Sequence, residues 1–325
     1  MAADRDQLPA LIPARSHGPV PALIAARGSG ARRRFIEFFT ANVRNPHTRK
    51  AYYRAAGEFF DWSDQAGLNL LDIEPVHVAA WVEDIGSRFK PPTVKLWLAA
   101  VRMLFDWLVV GQVLAVNPAA PVRGPKYIVK VGKTPVLGVA EARQLLDSIN
   151  TKTVVGLRDR ALIALLTFTF ARIGAALRMN VEDVYWQHRR LWVRLHEKAS
   201  KQHCMPCHHN LENHLQDYIE RAGLTGQDEQ PLFRTAVRRT KVLTERRMMQ
   251  SDAWRMDQRR AEDAGILTEV CNHTFRATGI TAYLDNGGSL ESAQAMAAHE
   301  SPHTTKLYDR TDDQITLDEV EKIGI

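Results

Sequence analysis

The sequence predicts a mainly α protein with a small antiparallel β-sheet, an α+β fold divided into two domains. Three observations carry this. Apolar residues recur at helical spacing in one block before residue 123 and in another after residue 138. A stretch dense in proline and glycine separates the blocks. One clear period-two segment, Arg190 to His196, stands inside the second block. A length of 325 residues suits two domains.

Residues 1–32 are rich in Ala, Pro, Arg and Gly without periodicity, which reads as a flexible basic arm. A helical domain is expected over 33–123. Its first helix opens near Arg34 with Phe35, Phe38 and Phe39. The second starts at Thr48 as N-cap and carries Tyr52, Ala55, Phe59 and Trp62 on one stripe. A short helix follows from Pro75 to Ile85, with proline at a favoured first position. The helix after Pro92 is the clearest, with Val94, Trp97, Leu98, Val101, Leu104, Phe105 and Leu108 at three-and-four spacing.

Pro118, Pro121, Gly124, Pro125 and Gly132 then break the helical pattern, and 124–137 reads as a linker. Its lysines suit a strap along DNA and equally a merely solvated connection. The second domain, 138–325, should begin with helices over Val139–Ser148 and about 156–170. In the strand Arg190–His196, Leu191, Val193 and Leu195 face one side and Trp192 and Arg194 the other. Glu197 to Gln202 form the turn, and His203 to His208 the return strand. Further helices are expected over 211–222, 252–264, 273–285 and 289–298, with a short last one opened by Ser301 and Pro302.

Composition narrows the function classes. The chain is 45% hydrophobic and 25% charged, ordinary for a soluble protein with a real core. No apolar run is long and charge-free enough to span a bilayer, and the N-terminus has no secretory pattern, so a cytoplasmic, nucleoid-associated protein without a membrane partner is expected. The net charge is +6, and it is clustered. Arg32 to Arg54 holds seven basic residues against one Glu, and Arg234 to Arg260 holds nine against three acids. Such clusters attract phosphate backbones by counterion release, although each also fits a solvated basic face.

Three cysteines do not make a disulfide framework. The segment from His203 to His208 does contain Cys204-Met205-Pro206-Cys207-His208, a pattern shared with c-type haem attachment and with half of a zinc site. A return strand with small buried cysteines explains it without a cofactor. Neither a metal nor another cofactor is expected.

Six scattered side chains carry chemistry. They are Arg172, Lys198 in the hairpin turn, His273 and Arg276 at a helix start, His299, and Tyr308 nine residues further on. His273 and Arg276 are three apart and share a helix face, in a first turn where the dipole favours an anion. Two arginines can clamp one phosphodiester and offset the charge that builds on it. A turn-borne lysine can reach a leaving oxygen; Lys201 stands as an alternative to Lys198. A tyrosine can act as nucleophile and conserve the bond energy in a covalent link.

This order and spacing resemble the tyrosine recombinase, or phage integrase, family over nearly the whole chain after residue 33. Ala171-Arg172-Ile173 resembles the family's first arginine motif. Lys198-Ala199-Ser200-Lys201 followed by Met205-Pro206 resembles its hairpin, His273-Thr274-Phe275-Arg276 its His-x-x-Arg box, and His299 with Thr304-Thr305-Lys306-Leu307-Tyr308 its last box. The resemblance implies an N-terminal helical core-binding domain and a C-terminal catalytic domain. It implies that Arg172 and Arg276 bind the scissile phosphate and that Lys198 protonates the 5′-hydroxyl. His273 serves the tyrosine as acid or base, His299 hydrogen-bonds the phosphate, and Tyr308 forms a 3′-phosphotyrosyl intermediate. Neighbouring cations would activate the phenol. Three positions depart from the pattern. Ala175 stands where the family often has an acid, leaving the support of Arg172 unassigned; Thr274-Phe275 and Ala297-Ala298 replace commoner residues.

The expected function is therefore site-specific DNA recombination without metal or ATP. The partners are double-stranded recombination sites, with two protomers on each site, four in the synapse, and a monomer or weak oligomer when free. The basic N-terminal arm suits an element-borne integrase better than a housekeeping chromosome-dimer resolvase. Arg49, Lys50 and Arg54 on the second helix, Lys95 and Arg102 on the fourth, and Lys126 in the linker are the candidate DNA contacts. The tail with Ile315, Leu317 and Val320 would pack on a neighbouring protomer or on its own domain. A type IB topoisomerase activity and a DNA-binding regulator that does not cut are the alternatives.

Overall fold

The computed structural model describes residues 20–129, 132–197, 201–237 and 240–309. Lys198 and the tail with Ile315, Leu317 and Val320 lie outside the described residues. The chain divides into two compact units, Met1–Ile128 and Val129–Ile325, with the division inside the expected linker.

The first unit is helical. Residues 20–32, expected to belong to a flexible basic arm, instead begin the fold, with α1 (Ala22–Ala26) and the start of α2 (Ser29–Glu37). Leu23, Ile24 and Ala31 are buried in the unit's core, so packing rather than helical periodicity orders this segment. A π-helical turn, Phe38–Asn42, ends α2 and buries Phe38 and Phe39. The next helix, α3 (Pro46–Gln65), starts earlier than expected. Asn45 rather than Thr48 is its N-cap, accepting from the backbone N–H groups of His47 and Thr48, with Pro46 pre-set for the first turn. Two more helices complete the unit, α4 (Pro75–Arg88) and α5 (Pro91–Val110). The core is aromatic: Phe59 meets Phe60, Trp81 and Phe105 edge-on at centroid distances of 5.4, 5.0 and 5.5 Å.

The second unit is built around α7 (Val154–Phe168), which follows α6 (Val139–Ser148). Ala161 to Leu166 are all buried, so this stretch of α7 is apolar all round and lacks an amphipathic pattern. Next come α8 (Ile173–Arg178) and a three-stranded antiparallel sheet of β1 (Val184–Gln187), β2 (Arg190–His196) and β3 (Gln202–Pro206), in the order β1-β2-β3. Trp192 pairs with Tyr185 on one side and Pro206 on the other. Leu191, Val193 and Leu195 are buried as the alternation predicts. The helix α9 (His209–Arg221) leads to a second sheet not visible in the sequence, β4 (Arg234–Ala236) with β5 (Leu243–Arg247). The chain then forms α10 (Gln250–Asp263), α11 (Thr274–Asp285), α12 (Leu290–Met296) and α13 (Pro302–Lys306).

Two features fix α10 and α11. Asp159, wholly buried on α7, accepts from Arg158 at 2.5 Å and from Arg260 of α10 at 2.7 Å, while Arg158 donates to the Arg234 carbonyl of β4. The buried carboxylate is thus held by two guanidiniums, as burial requires. On α11, Gly279 lies so close to α7 that a Cβ would sit 1.9 Å from the Thr167 carbonyl oxygen. Only glycine allows that approach.

Candidate active site

The second unit gathers Arg172, His273, Arg276, His299 and Tyr308 from separate segments. Arg172 is the N-cap of α8. His273 is the N-cap of α11, and Arg276 stands one turn along the same helix. His299 lies just past α12, and Tyr308 just past α13. Lys198 follows β2 and lies outside the described residues; the flanking Glu197 N–H donates to the Lys201 carbonyl at 2.8 Å and closes that turn. Lys201 itself pairs with Glu300 at 3.5 Å, with both side chains largely in solvent, a contact worth little.

Arg276 is at the centre and is 2% exposed. It donates to the carbonyls of Phe170 and Ala297, the latter at 2.7 Å, and to Nε2 of His299 at 2.6 Å. Because a guanidinium only donates, Nε2 of His299 is the acceptor and Nδ1–H donates to the Thr305 hydroxyl at 2.9 Å. The His299 and Tyr308 rings stack with centroids 5.8 Å apart and 10° between planes. Arg172 pairs with Glu197 at 2.7 Å and reaches the Ala298 carbonyl at 3.4 Å. The backbone of Tyr308 is held at both ends: its N–H donates to Thr305 O at 2.9 Å, and its carbonyl accepts from Thr281 at 3.0 Å. Glu197, Thr305 and Thr281 were not singled out from sequence.

The cations shape the titration of the site. Burial and the neighbouring Arg172 push Arg276 down to about 10, while the nearby Tyr308 hydroxyl and Glu197 act the other way. It remains charged at neutral pH. Crowding of the ring by protein, then Arg276 and Arg172, hold His273 below the ordinary imidazole value. The same causes push His299 down to about 4. Both shifts favour the neutral imidazole, and in His299 the unprotonated nitrogen already accepts from Arg276.

The His299 shift has a stability consequence. Its folded-state value lies below the unfolded value near 6.5, so the unfolded chain takes up the proton first as pH falls. Stability present above pH 6.5 should be lost progressively down to about pH 4. The contribution is about 2 kcal/mol after allowance for partial solvation. Urea melts across that window should show His299→Gln losing less stability than wild type; equal losses would refute the assignment.

The turn that leads into His299 is unusual. Ala298 has φ of 47°, a left-handed conformation, where α12 closes: Ala298 N–H bonds Ala295 O and His299 N–H bonds Gln294 O. A non-glycine residue is strained there. Ala298→Gly is expected to stabilise the protein by about 0.5–1 kcal/mol, the strain relieved less the extra chain entropy. A melting temperature that falls instead would contradict this.

The cysteine motif lies on the expected return strand, but only Cys207 is buried; Cys204 is exposed, because its side chain alternates away from the buried Met205. Cys204 lies on β3 and Cys207 just beyond it, and burial together with Glu212 pushes the Cys207 thiol up to about 12. It is therefore a poor thiolate at neutral pH. Among the described residues no group of three or more His, Cys, Asp or Glu is placed to hold a metal ion.

Basic residues line a separate open cleft of about 1120 Å³ between β4, β5 and α10, among them Arg158, Lys241, Arg246, Arg255, Arg259 and Arg260. In the first unit Lys50, Arg54, Lys95 and Lys126 are exposed. Arg54 lies 5.7 Å from the Trp97 ring centroid, and Arg49 donates to Val43 O at 3.1 Å. Arg102 differs from expectation. It is half-buried and bonds the carbonyls of Ala119 and Val122, bracing the end of this unit.

Two units, the first helical and the second holding arginines, histidines and a tyrosine in one cluster, define a tyrosine recombinase architecture. The description of the phage integrase family matches residues 135–314, and that of the phage integrase N-terminal SAM-like domain matches 33–111. The chain belongs to the phage integrase family. It is 27% identical over 289 residues to the tyrosine recombinase XerD of Corynebacterium glutamicum, covering 85% of this chain and 90% of that one. With the tyrosine recombinase XerC of Salmonella typhi it shares 27% identity over 225 residues, 69% of this chain and 71% of that one. Two solved structures share the fold. The XerH site-specific recombinase bound to its difH substrate superposes with a TM-score of 0.65 at 18% identity, covering 91% of this chain and 84% of that one. A lambda integrase dimer bound to a COC′ core site gives 0.65 at 17% identity, covering 94% and 85%.

Proposed function

We propose that the protein is a site-specific DNA recombinase of the integrase type that cuts and rejoins strands through a 3′-phosphotyrosyl intermediate, without metal or ATP. The observation that carries this reading is the convergence of Arg172, Arg276, His299 and Tyr308 on one site. The Tyr308 hydroxyl oxygen attacks the scissile phosphorus, a tyrosine–phosphorus bond forms, and the bond to the 5′-oxygen breaks. Neutral His273 accepts the phenol proton, and Lys198 protonates the departing 5′-oxygen. Arg172 and Arg276 offset charge on the phosphate oxygens. Attack by a 5′-hydroxyl of the partner strand reverses these transfers, so the energy of the broken bond is retained in the enzyme link.

For His299 to donate to phosphate, its Nε2 must gain a proton; in the arrangement seen here that nitrogen accepts from Arg276. His299 then orients Arg276 before DNA arrives. Arg49, Lys50, Arg54, Lys95 and Lys126 contact the DNA backbone or grooves in this reading, and Arg102 serves as a brace. Two protomers hold each site and four form the synapse on nucleoid DNA, in line with the lambda integrase tetramer bound to a Holliday junction. An element-borne role fits the likeness to the Tn1549 transposon integrase bound to circular intermediate DNA.

The decisive test is cleavage of nicked suicide duplexes drawn from DNA flanking the gene, with the trapped residue mapped by mass spectrometry. An adduct on Tyr308 supports the reading. Efficient relaxation of a supercoiled plasmid lacking any such site would point to a topoisomerase, and binding without any adduct to a regulator.

A further inference from the structure

The support of Arg172 is a question the sequence leaves open, and the structure offers an answer within the recombinase reading. Arg172 is the N-cap of α8, and Ala175 occupies the third helical position, from which a side chain can reach back to the cap. Ala175 is 1% exposed and offers no polar atom. The two bonds from Arg172 to the Ala298 carbonyl are long, 3.4 and 3.5 Å. Among the described residues the one short contact is with Glu197, whose carboxylate lies 2.7 Å from Nη1 and is 7% exposed in its side chain.

Glu197 is well placed for the task. It directly follows β2, and its N–H donates to the Lys201 carbonyl across the turn, which fixes its backbone. Arg172 stands close enough to disfavour the charge on Arg276, and Glu197 offsets this at Arg276. A charge this buried persists only when a partner holds it. Glu197 also directly precedes Lys198 in the chain. One strand end thus carries both the anchor of the arginine and the lysine of the turn.

We propose that Glu197 is a positioning residue for Arg172: its carboxylate pre-sets the guanidinium toward the scissile phosphate, the task an acid at position 175 would otherwise perform. Glu197 does not touch the reacting atoms. Its effect runs through Arg172 and should appear in the cleavage rate rather than in DNA affinity.

The test uses the full chain as wild type, Glu197→Gln, Glu197→Ala and the double variant Glu197→Ala/Ala175→Glu. One readout is single-turnover adduct formation on the nicked duplex cut by wild type, with DNA affinity measured in parallel. The other needs no DNA: phenylglyoxal labelling of Arg172 followed by mass spectrometry. Adduct formation should slow about 30-fold in Glu197→Ala and about fivefold in Glu197→Gln, which keeps an acceptor oxygen, with DNA affinity within about twofold. Adding Ala175→Glu should restore most of the rate, a rescue that general destabilisation would not give. Arg172 should label several-fold faster in Glu197→Ala. Wild-type adduct rates in both single variants, or a loss that follows DNA affinity, overturn the proposal. A wild type that forms no adduct on any duplex sinks the recombinase reading itself. Labelling then decides the pair, and equal Arg172 labelling in wild type and Glu197→Ala overturns it.

Discussion

Tyr308→Phe is expected to abolish the covalent DNA adduct, a loss of about 10⁴-fold or more in cleavage, while DNA affinity stays within about twofold. The variant is a clean one. Phenylalanine keeps the ring that stacks on His299, and the backbone bonds to Thr305 and Thr281 do not involve the side chain. Only the hydroxyl, which lies near Arg276, is lost. Removing that one hydroxyl should change stability by no more than about 1 kcal/mol, too little to unfold the protein. Gel-shift and denaturing-gel assays on the same nicked duplex separate the two effects. An adduct that survives the substitution would place the nucleophile elsewhere, with Tyr283 of the same apolar cluster the first residue to examine.

Arg276→Lys should be the next most severe change, although it keeps the positive charge. Cleavage is expected to fall about 10³-fold and stability by about 2–3 kcal/mol. The guanidinium serves Phe170 O, Ala297 O and His299 Nε2 at once from a buried position. A lysine ammonium is a point charge with different reach and cannot reproduce that planar fork. It would leave at least one buried acceptor unsatisfied and free the His299 ring. Single-turnover cleavage and urea melts measure the two losses. Cleavage within tenfold of wild type would mean that charge alone suffices and that the geometry described here is dispensable.

The sequence was most informative where one physical signal dominated. The apolar stripe of α5 and the span Val139–Ser148 of α6 were legible because amphipathic helices repeat their burial every turn. β2 was legible because Leu191, Val193 and Leu195 alternate. Elements ordered by distant packing were not. Leu23 and Ile24 look like two apolar residues in an arm until a core covers them. Leu243–Arg247 is too polar to announce a strand, and Val184–Gln187 too short. Asn45 and Thr48 are both good caps, and Pro46 was the overlooked cue that decides for Asn45. The candidate site was legible as residue types in order, since phosphate chemistry restricts which side chains serve. Its supports were not: Glu197 looks like turn filler, and Thr281 and Thr305 like ordinary helix residues. Their roles arise only when strands and helices far apart in the chain meet.

Gly132 gives the start of the second unit an unexpected hold on its far end. Its N–H donates to the carbonyl of Leu307 at 2.9 Å, and a Cβ at 132 would come within 2.5 Å of that oxygen. The residue beside Tyr308 is thus moored by main chain that precedes α6 by several residues. A shortened catalytic unit beginning at residue 134 would keep every reactive side chain yet set this stretch adrift. Trimming the protein for biophysical work should therefore begin upstream of Gly132, even though nothing reactive lies there.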